Sequence, residues 1–416
     1  MISSIKETAS LPVKELRAWS LIETSREFLL PSALWRLPDQ QVVKFLVSFD
    51  KFLESGFTKL EEMPTGFLVS SFTNDQLEQA GVIRGDLIFT LSTAGAVLSY
   101  EQTPTANTEE TNRFLKHAIE ISENSIERKY NNTLFPLSDG KDEIEDHYKH
   151  IVKKGVEAIQ EGKFEKVVLS RTKEFRLSDT FNASKAFLQL EEAYKNAFVS
   201  LINLPERGEM WLAATPELLV EVTDKSIFRT IALAGTQSAL DEHGDLITCD
   251  NVMWGHKEIE EQAFVSRYIV ACFKKIRLRE YLEKGPKTVL AGNLYHLKSD
   301  FEVDMKEACF PDLGSVMLAL LHPTSAICGA PKVPAMEFLL KEEGYDRSFY
   351  SGFIGPVNVE NSSNFYVNLR SVRFANQIAT FFAGAGITEG SDSSKEWKET
   401  ELKCDTLLRI LNTNNS

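Results

Sequence analysis

Four short apolar runs crowd one stretch of this chain: Val199–Asn203, Met210–Ala214, Leu218–Val222 and Ile227–Leu233. Such closely spaced runs read as successive strands. Helical spacing flanks them. Tyr148, Ile151, Val152, Val156 and Ile159 share one face of a helix that ends near Gly162, and Ser184–Lys195 and Asn251–Lys274 read as further helices. Val167–Leu169 reads as a buried strand, Phe365–Arg373 and Ile378–Ala383 as paired strands, and Lys395–Leu411 as a final helix. Runs of adjacent strands with helices between them predict an α+β fold with mostly antiparallel sheets, rather than a doubly wound parallel one.

With 416 residues, the chain has length for one large domain or two ordinary ones. Gln102–Asn112 and Ser138–Asp146 are polar enough to be loops or linkers. A net charge of −14 argues against nucleic acid as a partner, because phosphate contacts need clustered Lys and Arg. It leaves room for a small anionic substrate in a locally basic pocket. The five cysteines, Cys249, Cys272, Cys309, Cys328 and Cys404, are odd in number and show no CxxC spacing. They read as reduced thiols. Met1–Pro12 lacks an apolar signal core, and runs such as Val316–Leu321 are too short to span a bilayer. The expectation is a cytoplasmic protein with no membrane partner.

Chemistry concentrates near the C-terminus. A strand runs into Gly384-Ala385-Gly386, a Ser/Asp cluster follows, and a helix begins. Glycines let a ligand approach the backbone, and a helix N-terminus favours anions. On that helix Glu396, Glu399 and Lys403 share one face. Glu258 and Glu261 repeat the i, i+3 spacing on the earlier helix. Carboxylates from two helices suit Mg²⁺, which takes one or two of them plus water and substrate oxygens. Taken alone, either segment is better explained as a solvated face, charged with i,i+4 pairing on the last helix and acidic on the earlier one. Lys166 opens an apolar strand and Glu217 heads another. Buried, they could be a base and an acid with shifted pKa values; at an edge they would simply reach water.

Taken in order, these pieces resemble the chorismate-utilising enzymes: isochorismate and salicylate synthases, anthranilate synthase component I and aminodeoxychorismate synthase. The resemblance spans roughly Tyr148–Leu411 and rests on KVVLSR (166–171), TPELLV (215–220), LAGT (233–236), KEIEE (257–261), LYHLKSDF (294–301), LHPTSAICGAPK (321–332), RSFYSGFIG (347–355), VNLRS (367–371) and AGAGITEGSDSSKEWKETELK (383–403). The first 140 or so residues match only loosely. The resemblance implies one α+β domain over 1–416, two stacked antiparallel sheets with outer helices, and a site between the sheets. It implies Glu261 and Glu399 as Mg²⁺ ligands, supported by Glu258 and Glu396. Arg370 and Lys403, with backbone amides near Gly384, would grip carboxylates of chorismate. Ala234, Gly235, Thr236, His296, Ala326, Tyr350, Leu369, Ala385 and Gly386 would line the substrate pocket. His322 is a further candidate for the ring pocket, the alternative being that its HPT turn is mainly structural.

Within that resemblance the nucleophile is water. Anthranilate synthases usually carry glutamine where this chain has Lys166, and aminodeoxychorismate synthases carry lysine where it has Ala234. Lys166 would activate water for attack at C2, and Glu217 would protonate the departing C4 hydroxyl. Salicylate synthases tend to carry threonine where this chain has Ala326, which points to isochorismate as the final product. Such synthases are often monomers. One departure is local: Gln237-Ser-Ala-Leu240 follows LAGT where an arginine-bearing stretch is common. Two rivals remain. A nucleotide binder is prompted by Gly384-Ala-Gly386, but Glu389 occupies the third glycine's place in GxGxxG. A non-catalytic binder would have no use for Lys166 and Glu217 beside a metal.

Overall fold

The computed structural model describes residues 15–412 except 75, 125–131, 138–140, 242–244, 246 and 292–293. Met1–Pro12 and the start of Ser138–Asp146 therefore lie outside the described residues.

The fold is α+β, with two antiparallel sheets. The eleven-stranded sheet runs from Gly329–Ala330 through Lys166–Leu177, Ile378–Ile387, Ser371–Ala375, Glu209–Thr215, Phe198–Leu204, Ser32–Arg36, Val42–Val47 and Leu87–Ser92 to Val97–Gln102. Leu134–Pro136 also pairs with Lys166–Leu177. The eight-stranded sheet runs from Leu282–Ala291 through Leu294–Asp304, Ile227–Ser238, Leu218–Val222, Ser363–Val367, Phe353–Val357 and Gly66–Ser70 to Gly81–Arg84.

Side chains alternate along a strand, so each sheet offers one face to the other. Trp35, Phe198, Trp211 and Phe382 of the larger sheet meet Phe67, Ile354 and Tyr366 of the smaller. Phe198 and Tyr366 stack at 4.3 Å. A fully buried Phe such as Phe198 contributes about 1.5–3 kcal/mol. The outer face of the larger sheet is covered by Ala18–Glu27, Thr108–Asn124, Ala183–Ala193 and Ser393–Leu411, and that of the smaller by His256–Lys275 and Leu313–Leu321.

Three elements differ from the sequence reading. The stretch Phe365–Arg373 is two strands in different sheets, Ser363–Val367 and Ser371–Ala375, and the chain crosses between the sheets over 368–370. Asn368 fixes the crossing by donating from its side-chain amide to Phe349 O at 2.9 Å, and Arg370 takes a left-handed φ of 46°. The strand expected over Ile378–Ala383 continues to Ile387, so Gly384-Ala385-Gly386 lies inside it and pairs with Ser170, Leu169 and Val168. The helix expected from Asn251 begins at His256, because Cys249–Asn251 closes a separate 3₁₀ turn.

Candidate active site

A cleft of about 840 Å³, mouth included, opens between the sheets. Small-molecule sites have this size. Glu217, Glu261, Arg370 and Lys403 line it, as do Ala234, Gly235, Thr236 and His296 of the smaller sheet. Ala326, Tyr350, Leu369, Gly384 and Gly386 complete the expected set. Ala385 is buried on the other face of its strand, as the alternation of side chains requires.

Lys166 is fully buried, and its Nζ donates to Glu261 Oε1 at 3.1 Å. Gly386 makes that approach possible. A Cβ there would stand 3.0 Å from both Glu261 Oε1 and Lys166 Cε. Burial disfavours the Glu261 charge, but Lys166 and Lys403 overcome it and lower its pKa. Glu217 follows Pro216 at the head of its strand, and its backbone N–H donates to Thr215 Oγ1 at 3.3 Å. Burial pushes its carboxyl up to about 7, against the pull of Lys166, Lys403 and Arg370.

On the smaller sheet, His296 Nδ1 lies 2.9 Å from Gly235 O, which assigns the proton to Nδ1. Nε2 is then the acceptor for an Arg370 N–H at 2.7 Å. Burial first, and the Arg370 charge next, push the imidazole down to about 3, so it is neutral. Arg370 is thus presented by the sheet crossing and braced by a neutral ring. The second lining cation, Lys403, donates from Nζ to Gly384 O and to Glu399 Oε1, both at 2.8 Å.

Glu396 is 2% exposed. Its Oε1 accepts from Lys257 Nζ at 2.9 Å, and its Oε2 is buried without a hydrogen-bond partner. Glu258 folds back over the start of its own helix, beside Gly255 and Gly235. Among the described residues no three Asp, Glu, His or Cys side chains converge into a ready-made metal cage. However, Glu261, Glu396 and Glu399 all act on the same ammonium, that of Lys257. Hard carboxylate oxygens, one of them unpartnered, fit a divalent cation whose other positions go to water and substrate.

The Ser/Asp cluster is a helix cap. Asp392 accepts from the Ser394 and Lys395 amides, so its own carboxylate holds the helix start that was expected to favour an anion. His322 lies outside the cleft lining. Its Nε2 is 3.2 Å from Ser71 O, and burial, then Lys332, push it down to about 3. Ile327, Ser351 and Phe382 line the cleft but carry no signal of their own in sequence. Ile327 and Ser351 adjoin the expected Ala326 and Tyr350. All five cysteines are free.

Lys166 and Glu399 do not line the cleft themselves but pair with Glu261 and Lys403, which do; with a lining carboxyl pushed up to about 7 and two lining cations, the arrangement suits acid–base chemistry on a small anionic molecule. The chain belongs to the chorismate binding enzyme family, whose model matches residues 76–412. Isochorismate synthase DhbC of Bacillus subtilis is 26% identical over 271 residues, 64% of this chain and 67% of that protein. Isochorismate synthase MenF of Escherichia coli is 27% identical over 268 residues, 63% of this chain and 59% of that protein. Isochorismate synthase EntC of the same organism is 28% identical over 204 residues, 49% and 51% of the two chains. The chain thus aligns with about half to two thirds of the length of these relatives. The fold is that of the menaquinone-specific isochorismate synthase MenF from Escherichia coli, at TM-score 0.72 and 20% identity over 98% of this chain and 92% of that one. Anthranilate synthase component I from Streptococcus pneumoniae shares it at TM-score 0.62 and 17% identity, over 98% and 95%.

Proposed function

We propose that this chain is an isochorismate synthase, an isomerase that moves a hydroxyl group on chorismate. The observation that carries the reading is a protonatable Glu217 in the cleft wall with Lys166 buried directly behind Glu261 and Gly386 of that wall, and Arg370 and Lys403 as cationic anchors. In this mechanism the two carboxylates of the substrate meet Arg370 and Lys403, Lys403 being held by Gly384 O. Ala234, Gly235, Thr236, Tyr350 and Leu369 confine the ring. Lys166, once neutral, takes a proton from the water that attacks C2. Glu217 gives its proton to the C4 hydroxyl, which leaves as water. One water enters and one leaves, so product and substrate are isomers.

Glu261 and Glu399 would hold Mg²⁺, with Glu396 and Glu258 reaching it through water. Bound there, the ion would neutralise the ring carboxylate and stabilise charge developing on it. Ala326 presents only a methyl group to the cleft, so we end the reaction at isochorismate rather than at salicylate and pyruvate. We further read the chain as a single-domain cytoplasmic monomer. Among the described residues, no helix is long and apolar enough to cross a membrane.

Incubation of the protein with chorismate and Mg²⁺ should give isochorismate on chromatography, and EDTA should abolish turnover. Salicylate with pyruvate would replace this product assignment, and unchanged turnover in EDTA would remove the metal. His296 is proposed to position Arg370. His296→Ala should raise KM about tenfold with a smaller effect on kcat, since it deletes a hydrogen bond to a charged group. His296→Gln, which can still accept from Arg370, should recover part of that loss. An unchanged KM in His296→Ala would end the positioning role.

A further inference from the structure

We propose that Lys257 is the chain's own stand-in for the metal: a displaceable ammonium that holds the carboxylate cluster together until a divalent cation replaces it. This rests on the metal reading above.

Three of the four glutamates assigned to the metal, all but Glu258, have a lysine partner. Lys166 Nζ is 3.1 Å from Glu261 Oε1, Lys257 Nζ is 2.9 Å from Glu396 Oε1, and Lys403 Nζ is 2.8 Å from Glu399 Oε1. Among these three pairs the charges balance with no metal at all. A divalent ion entering among these carboxylates creates an excess of positive charge unless an ammonium withdraws.

Only one of the three lysines is free to withdraw. The Lys166 side chain is 1% exposed, and Lys403 is tied to a strand carbonyl at Gly384. The Lys257 side chain is 44% exposed and sits in the first turn of His256–Lys275. A flexible four-carbon stem lets its ammonium swing into water while the stem stays packed. Its partner Glu396 sits on Ser393–Leu411, so this ion pair bridges the two helices that carry the carboxylates. Departure of Lys257 frees Oε1 of a buried carboxylate whose Oε2 already has no partner. A buried carboxylate left unpaired is strongly unfavourable. Exchange with an incoming cation follows, rather than simple opening.

Mn²⁺ serves as a paramagnetic substitute for Mg²⁺, and its binding to the full chain without substrate is measured by electron paramagnetic resonance. Lys257→Gln and Lys257→Met remove the competing charge and are expected to tighten Mn²⁺ binding about fivefold. Lys257→Arg keeps the charge and is expected to bind like wild type. The metal-free neutral variants should also melt at a lower temperature than wild type, and Mn²⁺ should narrow the difference. Unchanged or weaker affinity in a neutral variant with a native circular dichroism spectrum overturns the exchange. So does an arginine variant that binds as tightly as the neutral ones. A wild-type chain that binds no Mn²⁺ is a separate failure, which removes the metal assignment itself.

Discussion

Replacing Lys166 by alanine is expected to lower turnover at least about a hundredfold, the usual contribution of a general base. No other lysine can take over. Lys403 has its ammonium committed to Gly384 O and Glu399, and Lys257, paired with Glu396 without metal, swings out into water when the metal enters. The substitution also takes from Glu261 its ion-pair partner. Mn²⁺ affinity measured alongside kcat separates the two effects: a pure loss of the base lowers kcat while metal still binds. Near-normal turnover in Lys166→Ala would exclude this residue from proton transfer.

Glu217→Gln is expected to lower turnover by a similar factor, because the amide keeps the shape and has no proton to give. Its pH behaviour is more diagnostic. With its carboxyl at about 7, Glu217 is protonated below neutrality and ionised above it. Activity that depends on the acid form should therefore fall as pH rises past about 7. Stability moves in the same direction. From the ordinary value of 4.5 up to about 7, the unfolded chain gives up this proton while the folded chain keeps it. Folding then loses stability as pH rises through that window, and the deficit persists above it. Glu217→Gln has no charge to bury. It should melt a few degrees above wild type at pH 8 while being far less active. A glutamine variant that is both less stable at pH 8 and fully active would refute the assignment on both counts.

Much of this arrangement is legible in sequence, for identifiable reasons. The strand Leu218–Val222 appears with its expected bounds, and the helix Ala183–Ala193 lies close to the expected Ser184–Lys195. Both have a clear period and flanking polar residues. Phe365–Arg373 is misread because Val367-Asn368-Leu369-Arg370 alternates apolar and polar residues as one continuous strand would, and no glycine or proline marks the change of sheet. The left-handed turn at Arg370 leaves no trace in composition. Lys166, Glu217, Glu261, Arg370 and Lys403 are legible because motifs spaced along the chain name them in order. Apolar lining residues such as Phe382 are not, since a hydrophobic wall and a hydrophobic core use the same side chains. The Lys257–Glu396 pair joins residues 139 positions apart, a distance no periodicity reports.

The first hundred residues supply strands to both sheets: Ser32–Arg36, Val42–Val47, Leu87–Ser92 and Val97–Gln102 to the larger, Gly66–Ser70 and Gly81–Arg84 to the smaller. Among the described residues none of these strands contributes a side chain to the cleft lining. They work as a brace, clamping the two leaves from the side away from the reaction. A brace is selected for volume and apolarity rather than for particular atoms, and cores tolerate volume-conserving exchange. Drift in this half of the molecule is thus compatible with unchanged chemistry in the other half.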